Sequence, residues 1–287
     1  MCLYQNFWCP EFSLEPVIAL QNHFEAHESD IFVINMPKTG TTWFKSLLYS
    51  LLKRSDNRLS NTPLRTHNPH ELILSLEITI YAKDKTPDLT NITPPRLFST
   101  HLPSASLPES VKNSKCKIIY VTRNPFDTFV SSWHYYTKLK NVNNNAAQPS
   151  DIDEYFDKLR STWSESLERP EKVLFLKYED LKEDGALQLK RVAEFVGYPF
   201  SKEEEKQGMV EDIINLCSIE SLKEMEVNKN GKCDPDFDNK SFFRKGVVGD
   251  WVNYLTPAMV ERLCKIRDEK LNGSGLSFCT ATEHTEL

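Results

Sequence analysis

The feature that most constrains this chain is a buried-strand pattern, Ile31 to Ile34, running directly into Asn35-Met36-Pro37-Lys38-Thr39-Gly40-Thr41-Thr42 and then into a helix. In that helix Trp43, Leu47 and Leu51 share one spacing and Phe44, Leu48 and Leu52 the adjacent one, which makes a broad apolar face. Lys53-Arg54 follow where the helix dipole favours cations. A strand, a glycine-bearing loop and a helix N-terminus in that order form an anion cradle. Gly40 lets backbone N–H groups approach, the dipole points at the anion, and Lys38 with the threonine hydroxyls adds donors. On its own the fragment reads equally well as an ordinary strand-to-helix turn. The usual nucleotide loop GxxxxGK[ST] is absent because Lys38 precedes Gly40, which disfavours a standard ATP or GTP site.

Three more apolar runs set the fold class. Leu97 to Thr100 ends at His101, Lys117 to Thr122 ends at Arg123, and Val173 to Tyr178 forms the last. Helical patterns alternate with them. One is capped by Asn124-Pro125 and carries Phe126, Phe129, Val130 and Trp133, another runs from about Ala186 to Gly197, and a last one starts at Thr256-Pro257. This alternation predicts an α/β chain, a parallel sheet with helices packed on both faces. No linker separates two domains, so one domain is expected over 1–287, with an N-terminal arm to about 28 and a frayed tail from about 277. Residues 227–250, rich in Asn, Asp, Gly and Lys, read as a long loop.

Composition excludes several classes. The formal charge of −6 argues against nucleic acid or anionic lipid as a partner of the whole surface, so any anion site is local. Seven scattered cysteines without a CxxC pair give no disulfide framework or structural zinc site. No leader pattern and no membrane-length apolar stretch is present, and a cytoplasmic location is expected.

Lys38 with its loop, His101 and Arg123 each follow a strand, and ligands in open parallel sheets bind beyond the strands' carboxyl ends. Arg123, Asp127 and Ser131 are spaced by fours. Arg123 suits bidentate phosphate contact and Ser131 suits donation from the helix, but on this fragment alone an Arg123–Asp127 cap with a packed Ser131 is the favoured reading. Phe242-Phe243-Arg244-Lys245-Gly246 adds a basic patch of a kind that is usually just solvated. His23 with His27, and His67 with His70, lack metal-ligand partners and are read as surface residues.

Taken together, Pro37-Lys38-Thr39-Gly40-Thr41-Thr42-Trp43, Arg123-Asn124-Pro125 with Asp127 and Val130-Ser131, Tyr178-Glu179-Asp180, and Arg244-Lys245-Gly246 with Gly249-Asp250-Trp251 resemble the cytosolic sulfotransferases in order and approximate spacing. The opening Tyr4-Gln5-Asn6-Phe7-Trp8 and the stretch from Lys172 to Asp184 look like the plant branch, and the likeness spans roughly Tyr4 to Phe278. The resemblance implies a P-loop-like sheet binding 3′-phosphoadenosine 5′-phosphosulfate (PAPS), without a metal. It assigns Lys38, Thr39, Gly40, Thr41, Thr42 and Trp43 to the 5′-phosphosulfate, with Trp43 beside the adenine. Arg123, Ser131, Arg244, Lys245 and Gly246 fall to the 3′-phosphate, and Tyr178 to the adenine, with Ser218 and Leu222 lining its pocket. His101 becomes the catalytic base, Lys38 meets the charge on the leaving group, and Tyr135 faces the acceptor. The acceptor would be a small hydroxyl or oxime compound, in the plant branch a flavonoid, steroid, hydroxyjasmonate or desulfoglucosinolate.

The sequence departs from that pattern in several places. Cys217 and Ile219 stand where Thr and Phe are expected, and Ser99 stands where many members carry Lys. Asn141 to Trp163 is shorter than the plant pattern and lacks its cleft-covering segment. A family dimer motif is degraded around Val252, Thr256-Pro257 and Glu261, which leaves the oligomeric state open. Two rivals follow, a member that binds PAPS or its desulfated product with little turnover, and a nucleotide-dependent phosphotransferase that would need Mg²⁺ ligands.

Overall fold

A computed structural model describes residues 2–5, 7–55, 59–142, 164–234 and 237–278. Its centre is a parallel sheet of β1 (Ile31–Asn35), β2 (Leu74–Ser75), β3 (Leu97–Thr100), β4 (Lys117–Thr122) and β5 (Val173–Lys177), in the order β2-β3-β1-β4-β5. The two-residue edge strand β2 was not visible in the sequence.

Side chains alternate across the sheet. Ile31, Val33, Ile119, Val121, Leu174 and Leu176 point to one face, under α2 (Thr41–Leu52), α4 (Gly185–Phe195) and α5 (Met209–Leu216). Phe32, Ile34, Ile118, Tyr120, Val173 and Phe175 point to the other, where Val17 and Leu20 of α1 (Glu11–His23) pack. Both faces are covered, which is why the strands read as unbroken apolar runs rather than alternating ones. The stretch expected as an N-terminal arm carries a hairpin, Cys2–Tyr4 with Phe7–Cys9, and α1, whose Val17 and Leu20 are fully buried. α3 (Pro125–Val142) instead packs through Phe126 and Val130 on Trp251 and on Leu263 of α6 (Pro257–Leu271).

The register decides where the loops emerge. Ile34 pairs with Thr100, Asn35 with Val121 and Thr122 with Lys177. Residues following β3, β1, β4 and β5 therefore leave the sheet side by side, and a one-residue slip would move every side chain of a strand to the opposite face. At the opposite end a buried pair locks β1 to β3, Arg96 Nε and Nη2 donating to the two oxygens of Asp30 at 2.7 and 2.6 Å.

Residues 227–250, expected as a long loop, contain a helical turn at Glu226–Lys229, short strands Lys232–Asp234 and Phe237–Asp238, and a 3₁₀ turn at Asn239–Phe242. The loop reading misses these because each element is only two to four residues long.

Candidate active site

Because β3 and β4 flank β1, the chain switches sides of the sheet there, the place where α/β sheets open a crevice. A cleft lies there. Its lining brings together Lys38, Gly40, Thr41, Thr42 and Trp43 after β1, His101 after β3, Arg123 and Ser131 after β4, Tyr178 after β5, and Arg244 and Gly246 from the distant loop.

The loop after β1 is held open by backbone geometry. Lys38 (φ 70°) and Gly40 (φ 105°) both lie in the left-handed region, an arrangement that turns successive N–H groups to one side. A Cβ on Gly40 would sit 2.7 Å from the Tyr178 ring, so a glycine is required for two reasons. The Thr39 side chain is turned inward, donating to the carbonyls of Met36 (2.8 Å) and Val121 (3.0 Å), and closes the loop rather than lining the cleft. Thr41 accepts from the Asn35 amide at 2.7 Å. Among the described residues no side chain caps α2 at Gly40, which leaves the first N–H groups of the helix without an intrahelical acceptor beside the cleft-lining Thr41 and Thr42.

Lys38 Nζ lies 4.1 Å from the centre of the Tyr135 ring. Burial, and then the positive charges of Lys138, Arg123 and Arg244, push its ammonium down to about 7. The cations converge with no carboxylate among the described residues that line the cleft. Such a site is unfavourable empty and favourable around a polyanion.

His101 is oriented by the β1–β3 register, its Nδ1 lying 2.8 Å from the Asn35 carbonyl while its own N–H donates to Glu77 at 2.8 Å. A carbonyl only accepts, so Nδ1 carries the proton and the neutral ring has its lone pair on Nε2. That is the form a general base needs.

On the other side, Arg123 stacks on Tyr178 (4.5 Å), donates to the Val247 carbonyl (2.6 Å) and approaches Asp127 (3.5 Å). The Arg123–Asp127 pairing favoured on the fragment is thus present, and Arg123 still lines the cleft. Asp127 does more than cap, accepting from the backbone N–H groups of Gly249 (2.8 Å) and Trp251 (3.1 Å) and so fastening the 244–251 loop to α3. The Tyr178 hydroxyl donates to the Gly246 carbonyl at 2.9 Å. Arg244 pairs with Asp250 and lines the cleft, its Nε and the Trp43 Nε1 being buried donors with no hydrogen-bond partner among the described residues. Lys245 turns away, bound to Asp250 (2.7 Å) and Tyr254 (3.3 Å). Ser218 caps the turn Ile219–Glu224 and Leu222 is buried in the core, and it is Ile219 that reaches the cleft, against Gly246.

Several lining residues were not assigned to the site from the sequence. His134 and Lys138 share a helix face with Ser131 and Tyr135, a 131/134/135/138 spacing that was available in the sequence. Phe242 stacks on His70, and His70, expected at the surface, lines the cleft instead while His23, His27 and His67 are exposed. The placement of His70 has a local cause. Asn68 caps the turn Pro69–Leu72 and aims His70 back at α2.

Known proteins give this geometry its class. The family model described as "Sulfotransferase domain" matches residues 28–275, and the chain belongs to that family. It is a sulfotransferase. Among curated relatives, Cytosolic sulfotransferase 15 of Arabidopsis thaliana is 45% identical over 96% of this chain and 81% of its own length. Cytosolic sulfotransferase 5 of the same plant is 44% identical over 97% and 90%. These relatives put the chain on the plant branch of the family. Solved structures with the same fold include an Arabidopsis thaliana sulphotransferase (TM-score 0.74, 34% identity, 96% of this chain and 88% of that one) and mouse sulfotransferase SULT7A1 complexed with PAP (TM-score 0.70, 28% identity, 96% of each chain). Among the described residues no helix is long and apolar enough to cross a membrane. The shortened stretch expected to lack a lid lies, from 143 to 163, outside the described residues.

Proposed function

We propose that this sulfotransferase takes PAPS as donor and transfers its sulfuryl group to the hydroxyl or oxime of a small organic acceptor in the cytoplasm. One observation carries the reading, the convergence of Lys38, Arg123 and Arg244 on a cleft whose described lining has no carboxylate, beside a histidine held in the basic tautomer. The buried donors Trp43 Nε1 and Arg244 Nε fit an anion-bearing ligand, and the mouse relative's complex with PAP supports the same donor class.

In this reading the β1–α2 loop, with Lys38, Thr41, Thr42 and Trp43, holds the 5′ end, and Arg123, Ser131, Arg244 and the Gly246 backbone hold the 3′-phosphate. The donor supplies a sulfuryl group whose S–O bond to phosphate breaks as a new S–O bond forms to the acceptor oxygen. His101 Nε2 takes the acceptor's proton, a contribution typically worth about 10²–10⁴ in rate. Lys38 offsets the charge growing on the leaving phosphate. Tyr135 and Phe242, stacked at 6.4 Å, give the acceptor an aromatic wall.

The test is turnover of labelled PAPS against a panel of phenols, alcohols and oximes, with Lys38→Ala and His101→Ala alongside. Both variants are expected to lose most activity, His101→Ala by about 10²-fold or more while still binding PAP. Full activity in either removes its assigned role, and an ATP- and Mg²⁺-dependent reaction would favour phosphoryl transfer.

A further inference from the structure

A second histidine of the cleft lining, His70, with no part in the scheme above, is clamped on both nitrogens. Lys45 lies one helical turn after Thr42, with only 1% of its surface exposed. Its Nζ donates to the Ile73 carbonyl at 2.8 Å and lies 3.2 Å from His70 Nδ1. His70 Nε2 lies 2.9 Å from Thr42 Oγ1, and the ring is stacked on Phe242 at 4.4 Å. Thr42 lines the cleft.

The direction of these bonds follows from the donor inventory. Below about pH 7, where Lys45 is charged, its ammonium has no lone pair, so it donates and His70 Nδ1 accepts. A neutral imidazole then carries its one N–H on Nε2 and donates it to Thr42 Oγ1. The Thr42 hydroxyl hydrogen is thereby turned away from His70, toward the cleft. With Lys45 removed, the ring is free to take the other tautomer, accept the Thr42 hydrogen on Nε2 and leave an oxygen lone pair facing an anion. Burial and the charges of Lys45, His101 and Lys38 hold the His70 pKa well below its ordinary value, so the ring stays neutral.

We propose that Lys45 and His70 are positioning residues that fix the Thr42 hydroxyl as a hydrogen-bond donor into the anion cleft. The proposal rests on the reading of that cleft as a nucleotide-donor site, and its consequence is a polarised chain, Lys45 to His70 to Thr42 to ligand, supplementing the backbone cradle.

Nitrogen-15 NMR of the ligand-free protein reads the tautomer directly. His70 is expected as the Nε2–H form at about pH 6, where Lys45 is charged, and Lys45→Met is expected to shift it toward a mixture. Calorimetric binding of PAP closes the test. Thr42→Val should weaken binding by about 10- to 100-fold and His70→Ala by about tenfold, as expected for a hydrogen bond to a charged group, and the double variant no more than Thr42→Val alone. His70→Gln, whose amide can accept from Lys45 and donate to Thr42, should recover affinity to within about threefold of the original. An Nδ1–H tautomer in the parent protein, additive losses in the double variant, or a folded His70→Gln as weak as His70→Ala overturns the proposal. If His70→Ala does not fold, the Gln variant and the NMR arm decide. If the parent protein binds no PAP, the donor reading falls while the tautomer result still judges the relay.

Discussion

Raising the pH through the value for Lys38 perturbs donor binding without altering a residue. Burial beside Lys138, Arg123 and Arg244 takes the ammonium from 10.5 to about 7, so the ligand-free protein holds this proton below about that pH and loses it above. A polyanion seated against Nζ favours the charged form, which means that binding above about pH 7 takes up a proton. The affinity for PAP should then fall by a factor approaching ten per pH unit, about 50-fold from about pH 7 to 9. Lys45 is also brought to about 7, chiefly by burial, but its contacts are with Ile73 and His70, so its charge reaches the ligand only through Thr42. Lys38→Arg separates the two, because a guanidinium stays charged over the whole range and should flatten the profile. Calorimetric titration in two buffers of different ionisation heat measures the proton uptake independently of the affinity. A flat affinity with no proton uptake in the parent protein, or an unchanged slope in Lys38→Arg, would refute the reasoning.

Two substitutions probe the side of the cleft formed by Arg123 and Gly246. Gly246→Ala places a Cβ 2.0 Å from Ile219 Cδ1 at a φ of 69°, and is expected to weaken PAP binding, with Ile219→Ala restoring it only in part because the left-handed backbone still costs about 1–2 kcal/mol. Full recovery in the double variant, measured by calorimetry, would show that the backbone angle does not matter. Asp127→Ala leaves the Gly249 and Trp251 N–H groups without their acceptor and should lower stability by about 2–5 kcal/mol in a denaturant titration, with loss of PAP affinity. An unchanged midpoint and affinity would show that the 244–251 loop is held by Trp251 packing alone.

Local chemistry wrote the strand-loop-helix at 31–52 and the loop endings at His101 and Arg123, since apolar runs, turn residues and caps act over a few neighbours and are readable along the chain. Sequence by itself therefore determined a parallel α/β sheet, three loops at the strands' carboxyl ends and a strand-loop-helix at 31–52 whose loop carries Lys38, Gly40 and the threonines. Only tertiary structure decided which donors face that rim. Thr39 and Lys245 share motifs with cleft residues, yet one turns to the Met36 and Val121 carbonyls and the other to Asp250. His70, unremarkable in sequence, comes to Thr42 because the Asn68 cap and the packing of Pro69–Leu72 aim it there. A motif specifies residue types at a spacing, whereas the direction of a side chain depends on acceptors that lie tens of residues away and meet it only once the sheet has closed its register.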